Sequence, residues 1–76
     1  MNEIKQWTVN RLYCKDSLVL QNRLLTQYNR LKQILIYDPN EYIDYTILPN
    51  KFYLICIFKA GNEYCGIVNY IAWRKV

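Results

Sequence analysis

The last third of the chain predicts a β-hairpin whose strands are apolar on both faces. Apolar residues fill most positions of residues 51–73, KFYLICIFKAGNEYCGIVNYIAW. A strand that covers a single core needs apolar residues only at alternate positions. Gly61-Asn62 lies between the two apolar runs and is a favoured two-residue hairpin turn. The cross-strand pairs that this turn predicts are Phe58 with Cys65, Cys56 with Ile67 and Phe52 with Ile71.

Residues 18–37 predict an α-helix. Their apolar positions recur at helical spacing, and they are Leu20, Leu24, Tyr28, Leu31 and Leu35. Asp16 and Ser17 precede this run, and both are good helix N-caps. The helix should end at Asp38-Pro39, because a residue before proline is disfavoured in the α region.

Two further segments predict strands. Residues 3–14 alternate loosely, with a slip in the pattern near Asn10 and Arg11, and residues 41–48, EYIDYTIL, alternate more regularly. The predicted order is therefore β-α-β-β-β over a single domain, residues 1–76. This order predicts an α+β fold with one helix packed on one face of a four-stranded, mainly antiparallel sheet.

The two faces of the hairpin differ in bulk, and we expect the bulkier face to pack under the helix. That face contains Phe52, Leu54, Cys56, Phe58, Ile67, Ile71 and Trp73. The reverse face should then lie open and bind a partner, since exposed apolar patches mark interaction sites. Its predicted contact residues are Tyr53, Ile55, Ile57, Tyr64, Val68 and Tyr70. A slip of one residue would exchange the two faces.

The composition of this 76-residue chain favours a folded cytoplasmic protein. Its hydrophobic share is 53%, and eight of the aromatic residues are tyrosines. No stretch reaches the roughly 20 apolar residues that span a bilayer, and the N-terminus does not resemble a secretory signal. Three cysteines do not suggest a disulfide framework. We expect them to be small buried apolar residues, with a Cys56–Cys65 disulfide as an alternative.

The residues that usually carry catalysis or bind metal are scarce. The chain has no histidine, and it has neither a C-x-x-C motif nor a recognisable nucleophile–base pair. We therefore expect no catalytic residues, no metal and no cofactor. Asp38, Glu41 and Asp44 form an acidic segment that suits solvent or a basic partner better than acid–base chemistry.

The net charge of +4 includes a helix without acidic residues between Asp16 and Asp38. Arg23, Arg30 and Lys32 on its polar side could contact phosphates or an acidic protein surface. With the basic C-terminal tail, they support an alternative function in nucleic-acid binding.

Small size, many tyrosines and an Asn-, Ile-, Tyr- and Lys-rich composition are typical of phage and mobile-element accessory proteins. We expect a non-enzymatic binding protein that occupies the surface of a host enzyme or a defence nuclease, as anti-CRISPR proteins do, or that forms a homodimer. The basic and tyrosine residues of the C-terminal hairpin and its Arg74-Lys75 tail also resemble the RelE-type ribonuclease toxins. That resemblance implies a second alternative, ribosome-dependent RNA cleavage by Lys, Arg and Tyr side chains.

Overall fold

The computed structural model describes residues 2–28, 34–38 and 40–76. These contain one α-helix and four strands in a single sheet of order β1-β4-β3-β2, in which β2 runs parallel to β3 and the other pairs are antiparallel. The elements are β1 (Asn2–Cys14), α1 (Ser17–Tyr28), β2 (Ile34–Tyr37), a short 3-10 helix (Tyr45–Ile47), β3 (Lys51–Ala60) and β4 (Glu63–Lys75). The predicted α+β class and the mainly antiparallel sheet are confirmed.

The β3–β4 hairpin has the predicted register. Ala60 pairs with Glu63 across the turn, and the three cross-strand pairs predicted from the sequence are all present. Gly61 has a φ of +65°. A positive φ at the first central residue of a two-residue turn is the pattern of a type II′ turn, which favours glycine there.

Strand β1 contains an irregularity at Val9 that changes which residues share a face. Thr8 pairs with Asn69 and Asn10 pairs with Val68, so Val9 is an extra residue with no counterpart on β4. Directly opposed residues share a face. The bulge therefore brings Trp7, which lies before it, onto the same face as Leu12, which lies after it.

Helix α1 begins where the sequence predicts. The Asp16 carboxylate accepts hydrogen bonds from the backbone N–H groups of Leu18 (2.9 Å) and Val19 (3.2 Å), so Asp16 is the N-cap. The prediction of a helix up to Tyr37 is wrong, because Ile34–Tyr37 forms strand β2. A short apolar run such as ILIY fits either structure by periodicity. Pairing with the edge of β3 satisfies its backbone as a strand.

The predicted strand over residues 41–48 is also absent from the described structure. The Asp44 carboxylate accepts hydrogen bonds from the backbone N–H (3.0 Å) and hydroxyl (2.6 Å) of Thr46, and the 3-10 helix follows. Apolar residues of this segment, Ile43, Tyr45 and Leu48, pack against the sheet. Their core partners are Phe52, Leu54 and Ile71.

The two faces of the sheet are covered in the opposite way to the prediction. Helix α1 packs on the face that contains Ile55 and Val68, and these two residues, Leu20 and Leu24 are all 0% exposed. We call this the helix-side face, and we call the face covered by residues 43–48 the loop-side face. The register was predicted correctly, but the prediction that the helix-side face would be open is wrong over its central part.

Candidate functional site

Three aromatic side chains form a row across the helix-side face. Trp7 of β1 lies opposite Tyr70 of β4, and Tyr70 lies opposite Tyr53 of β3. The Trp7 and Tyr70 rings are stacked with centroids 5.8 Å apart, and the Tyr70 and Tyr53 centroids are 5.1 Å apart. We call Trp7, Tyr53 and Tyr70 the aromatic strip. Tyr28, the last residue of α1, lies 5.7 Å from Tyr53 and links the strip to the helix.

The strip is accessible because α1 covers only part of the helix-side face. Trp7 is 51% exposed, and Tyr53 and Tyr70 are half-buried. Leu20 and Leu24 of the helix pack over the other part of the face, which holds Gly66 and Val68 of β4, and the last residue of the helix, Tyr28, contacts Tyr53.

A second row of side chains lies two residues further along the same strands. Lys5 and Lys51 both pair with Ala72, so a lysine lies on each side of a small central residue. Residues two apart on a strand point to the same face, so this lysine row lies next to the aromatic strip. Both lysines are exposed. A cavity lined in part by Lys5, Ala72 and Arg74 lies at this end of the sheet.

The local charge around the aromatic strip is positive. Glu3 lies in the next row and forms a salt bridge with Arg74 at 2.9 Å. The hydrogen bond and the charge of Arg74 hold the pKa of Glu3 below its usual value. The three acidic residues of the segment 38–44 lie away from the strip. Asp38 and Glu41 line a cavity with Ser17, at the N-terminal end of α1, and Asp44 belongs to the segment that covers the loop-side face.

The structure divides the contact residues predicted from the sequence into three groups. Tyr53 and Tyr70 lie in the aromatic strip, and Tyr53 also packs against the core under α1. Ile57 and Tyr64 pack against the core under α1, and Ile55 and Val68 are completely buried there, which leaves those two no surface for a partner. Arg23 is exposed on α1, whereas Arg30 and Lys32 lie outside the described residues.

Sequence reasoning missed Trp7 and Lys5 as members of this surface. Both lie on β1, some 65 residues before their β4 partners in the chain. Neither forms a motif with Tyr53 or Tyr70. The available signal was the alternation of Lys5 and Trp7, but the slip at Val9 hides which face these residues share with the hairpin.

The cysteines lie away from the aromatic strip. Cys14, Cys56 and Cys65 are all free thiols, and Cys56 and Cys65 are buried. Burial raises the pKa of the Cys56 thiol. The pKa of Tyr37 is also raised, mainly by burial and secondly by the neighbouring Cys56. Within residues 2–28, 34–38 and 40–76, no group of three or more Cys, Asp or Glu side chains is placed to hold a metal ion.

No protein-family model matches this chain, and comparison with curated proteins and with solved structures finds no match either. Among the described residues, no helix is long and apolar enough to cross a membrane.

Proposed function

We propose that this protein is a small non-enzymatic binding protein that acts by occupying a surface on another macromolecule, and that the aromatic strip is the surface it uses. The single observation that carries the proposal is the accessible row of Trp7, Tyr70 and Tyr53 beside the lysine row. Trp and Tyr are the residue types most enriched among binding hot spots. Their rings bury a large area at a small cost in side-chain entropy.

A host enzyme or a defence nuclease remains the target that we propose on grounds of size and composition. Occupying a partner's surface requires a rigid patch, and the aromatic strip lies on three hydrogen-bonded strands rather than on a loop.

The test is a pull-down in which the bait differs at the strip. The unaltered chain, Trp7→Ala and Tyr13→Ala are each immobilised and exposed to host lysate, with and without prior nuclease treatment. Tyr13 is the matched control, because it is an aromatic residue of the same strand, 53% exposed, that pairs with Cys65 on the loop-side face. We expect Trp7→Ala to lose a partner that Tyr13→Ala retains. Equal capture by all three chains would contradict the proposal.

Nucleic-acid binding is the second candidate function, and the lysine row favours it. Lysines beside exposed aromatic rings are the combination by which sheet surfaces bind single-stranded nucleic acids. Lys5 and Lys51 are exposed beside the aromatic strip, and they support this candidate function in addition to the helix residues expected from the sequence.

A further inference from the structure

We infer that the ligand of the aromatic strip is a single-stranded nucleic acid, whose bases stack on the exposed ring of Trp7 and contact Tyr70 and Tyr53 beside it while its phosphates contact Lys5 and Lys51. The inference rests on the proposed function, a binding protein that uses the aromatic strip, and it commits to the second candidate ligand, a nucleic acid, in place of a protein target. Three features of the described residues carry it: ring accessibility, strand geometry and local charge, which includes the placement of the acidic residues.

The accessible ring is the first feature. Base–aromatic stacking needs a ring with solvent-exposed area, and Trp7 at the outer end of the strip is half exposed. Trp7 is also on an edge strand, since β4 is the only described strand with which β1 pairs. A strand of nucleic acid can therefore approach the strip from the side of the sheet without displacing α1.

The geometry of the rows is the second feature. Neighbouring strands lie about 4.8 Å apart, so the strip spans about 10 Å from β1 to β3. The lysine row runs parallel to it and lies roughly 7 Å away, since residues two apart on a strand are separated by about 6.6–6.8 Å. Bases on one row and phosphates on the other row would follow parallel tracks. A duplex hides the faces of its bases in the stack, so this arrangement selects single strands.

Charge complementarity is the third feature, and it favours an anionic ligand over an uncharged, apolar one. Lys5 and Lys51 border the strip, and the carboxylate of Glu3, in the row beyond them, forms a salt bridge with Arg74. Asp38, Glu41 and Asp44 are kept at the helix N-terminal end or on the loop-side face. Among the described strand residues, the rows next to the strip therefore hold no carboxylate except that of Glu3, which is already paired.

The experiment is fluorescence anisotropy with the full chain and labelled 12-nucleotide dT and U oligomers, together with a duplex of matched length, at 50 and 200 mM salt. We expect single strands to bind more tightly than the duplex. Trp7→Ala should weaken single-strand binding roughly 5- to 150-fold, the range measured for losing one base-stacking ring, whereas Tyr13→Ala should leave it unchanged.

The phosphate contacts are tested by salt dependence. Replacing both Lys5 and Lys51 with Gln should reduce the slope of log affinity against log salt by about 1.4, because each phosphate contact to a single strand contributes about 0.7. The control is Lys15→Gln combined with Lys59→Gln, which removes the same charge from two exposed positions outside the lysine row. It should change affinity less than the Lys5/Lys51 double substitution does. Circular dichroism of each variant confirms that the fold is retained.

Three results would overturn this inference. Duplex binding as tight as single-strand binding, or binding that Trp7→Ala does not weaken, would show attraction by net charge alone. Absence of oligomer binding would reject nucleic acid as the ligand. The proposed function would be retained if the pull-down gave a nuclease-resistant protein partner that depends on Trp7. Cleavage of the U oligomer would overturn the non-enzymatic function instead, in favour of a ribonuclease.

Discussion

Gly66 is the residue that lets helix α1 approach the sheet. It lies on β4, opposite Leu12 and Ile57 of the neighbouring strands. A Cβ atom at this position would lie 2.5 Å from Leu24 Cδ1 and 3.3 Å from Leu20 Cδ2. The missing side chain leaves room for the two leucines that form the buried side of the helix, and close packing of this kind tolerates little added volume.

We expect Gly66→Ala to lower the free energy of unfolding by roughly 1–3 kcal/mol, the usual cost of overpacking a core. The measurement is urea denaturation followed by circular dichroism. In a Leu24→Ala background the new methyl group has space, so the same substitution should cost much less. Equal losses in both backgrounds would show that the contact with Leu24 is not the cause.

Tyr37 and Cys56 give the protein a predicted sensitivity to alkaline pH. Both pKa values are raised in the folded state, chiefly by burial. Groups with raised pKa values stabilise the fold while they are protonated, and this contribution is lost as the pH rises above the unfolded thiol pKa of about 8.5 and through the folded values. We expect the free energy of unfolding to fall between pH 8 and pH 11 in urea titrations.

The double variant Tyr37→Phe/Cys56→Ala removes both ionisable groups and should flatten this part of the pH profile. If the profile of the double variant stays as steep as that of the unaltered chain, the alkaline sensitivity has another origin.

At the scale of elements, the segment between β2 and β3 owes its position to side-chain contacts. The Trp73 indole Nε1–H donates a hydrogen bond to the Pro49 carbonyl at 2.6 Å. The Tyr45 ring lies 6.1 Å from Trp73, edge to face, and 6.2 Å from Phe52. These contacts cover the loop-side face, although the segment contains only one turn of 3-10 helix.

We expect Trp73→Phe to loosen this segment selectively, because phenylalanine retains the aromatic contact and loses the hydrogen bond. The cost should be about 0.5–1.5 kcal/mol, the usual net contribution of a hydrogen bond, because Pro49 is exposed and water can replace the lost donor. Hydrogen exchange should become faster in residues 40–50 than in the β3–β4 hairpin. A uniform rise over the whole chain would indicate global destabilisation instead.

Some element boundaries could be predicted from sequence patterns alone, and others could not. The helix start follows from the short-range hydrogen bonds of Asp16, and the hairpin register follows from a two-residue turn. The helix end and the second strand were predicted wrongly. Residues 34–37 and 41–48 both contain apolar patterns that suit more than one structure, and contact with β3 or with the loop-side face selects between these structures.

At the scale of the whole molecule, the cover over the central helix-side face removes the main reason to expect self-association. Ile55 and Val68 are buried against α1 of the same chain. We therefore expect a monomer of 9.3 kDa in light scattering at two protein concentrations and two salt levels. A dimer that Trp7→Ala dissociates would show that the aromatic strip pairs with itself. A dimer that survives Trp7→Ala would place the interface elsewhere, for example along the unpaired edge of β1.

The sequence by itself determined the α+β class, the hairpin, its register and the start of the helix, because these depend on local turn chemistry, capping and alternation. It could not determine which hairpin face the helix covers, since both faces are apolar and either would bury well. Tertiary structure decided that choice through the space above Gly66 and the fit of residues 43–48 on the opposite face. The aromatic strip was decided in the same way, because pairing of β1 with β4 and a bulge at Val9 bring Trp7 beside two tyrosines that lie far from it in the chain.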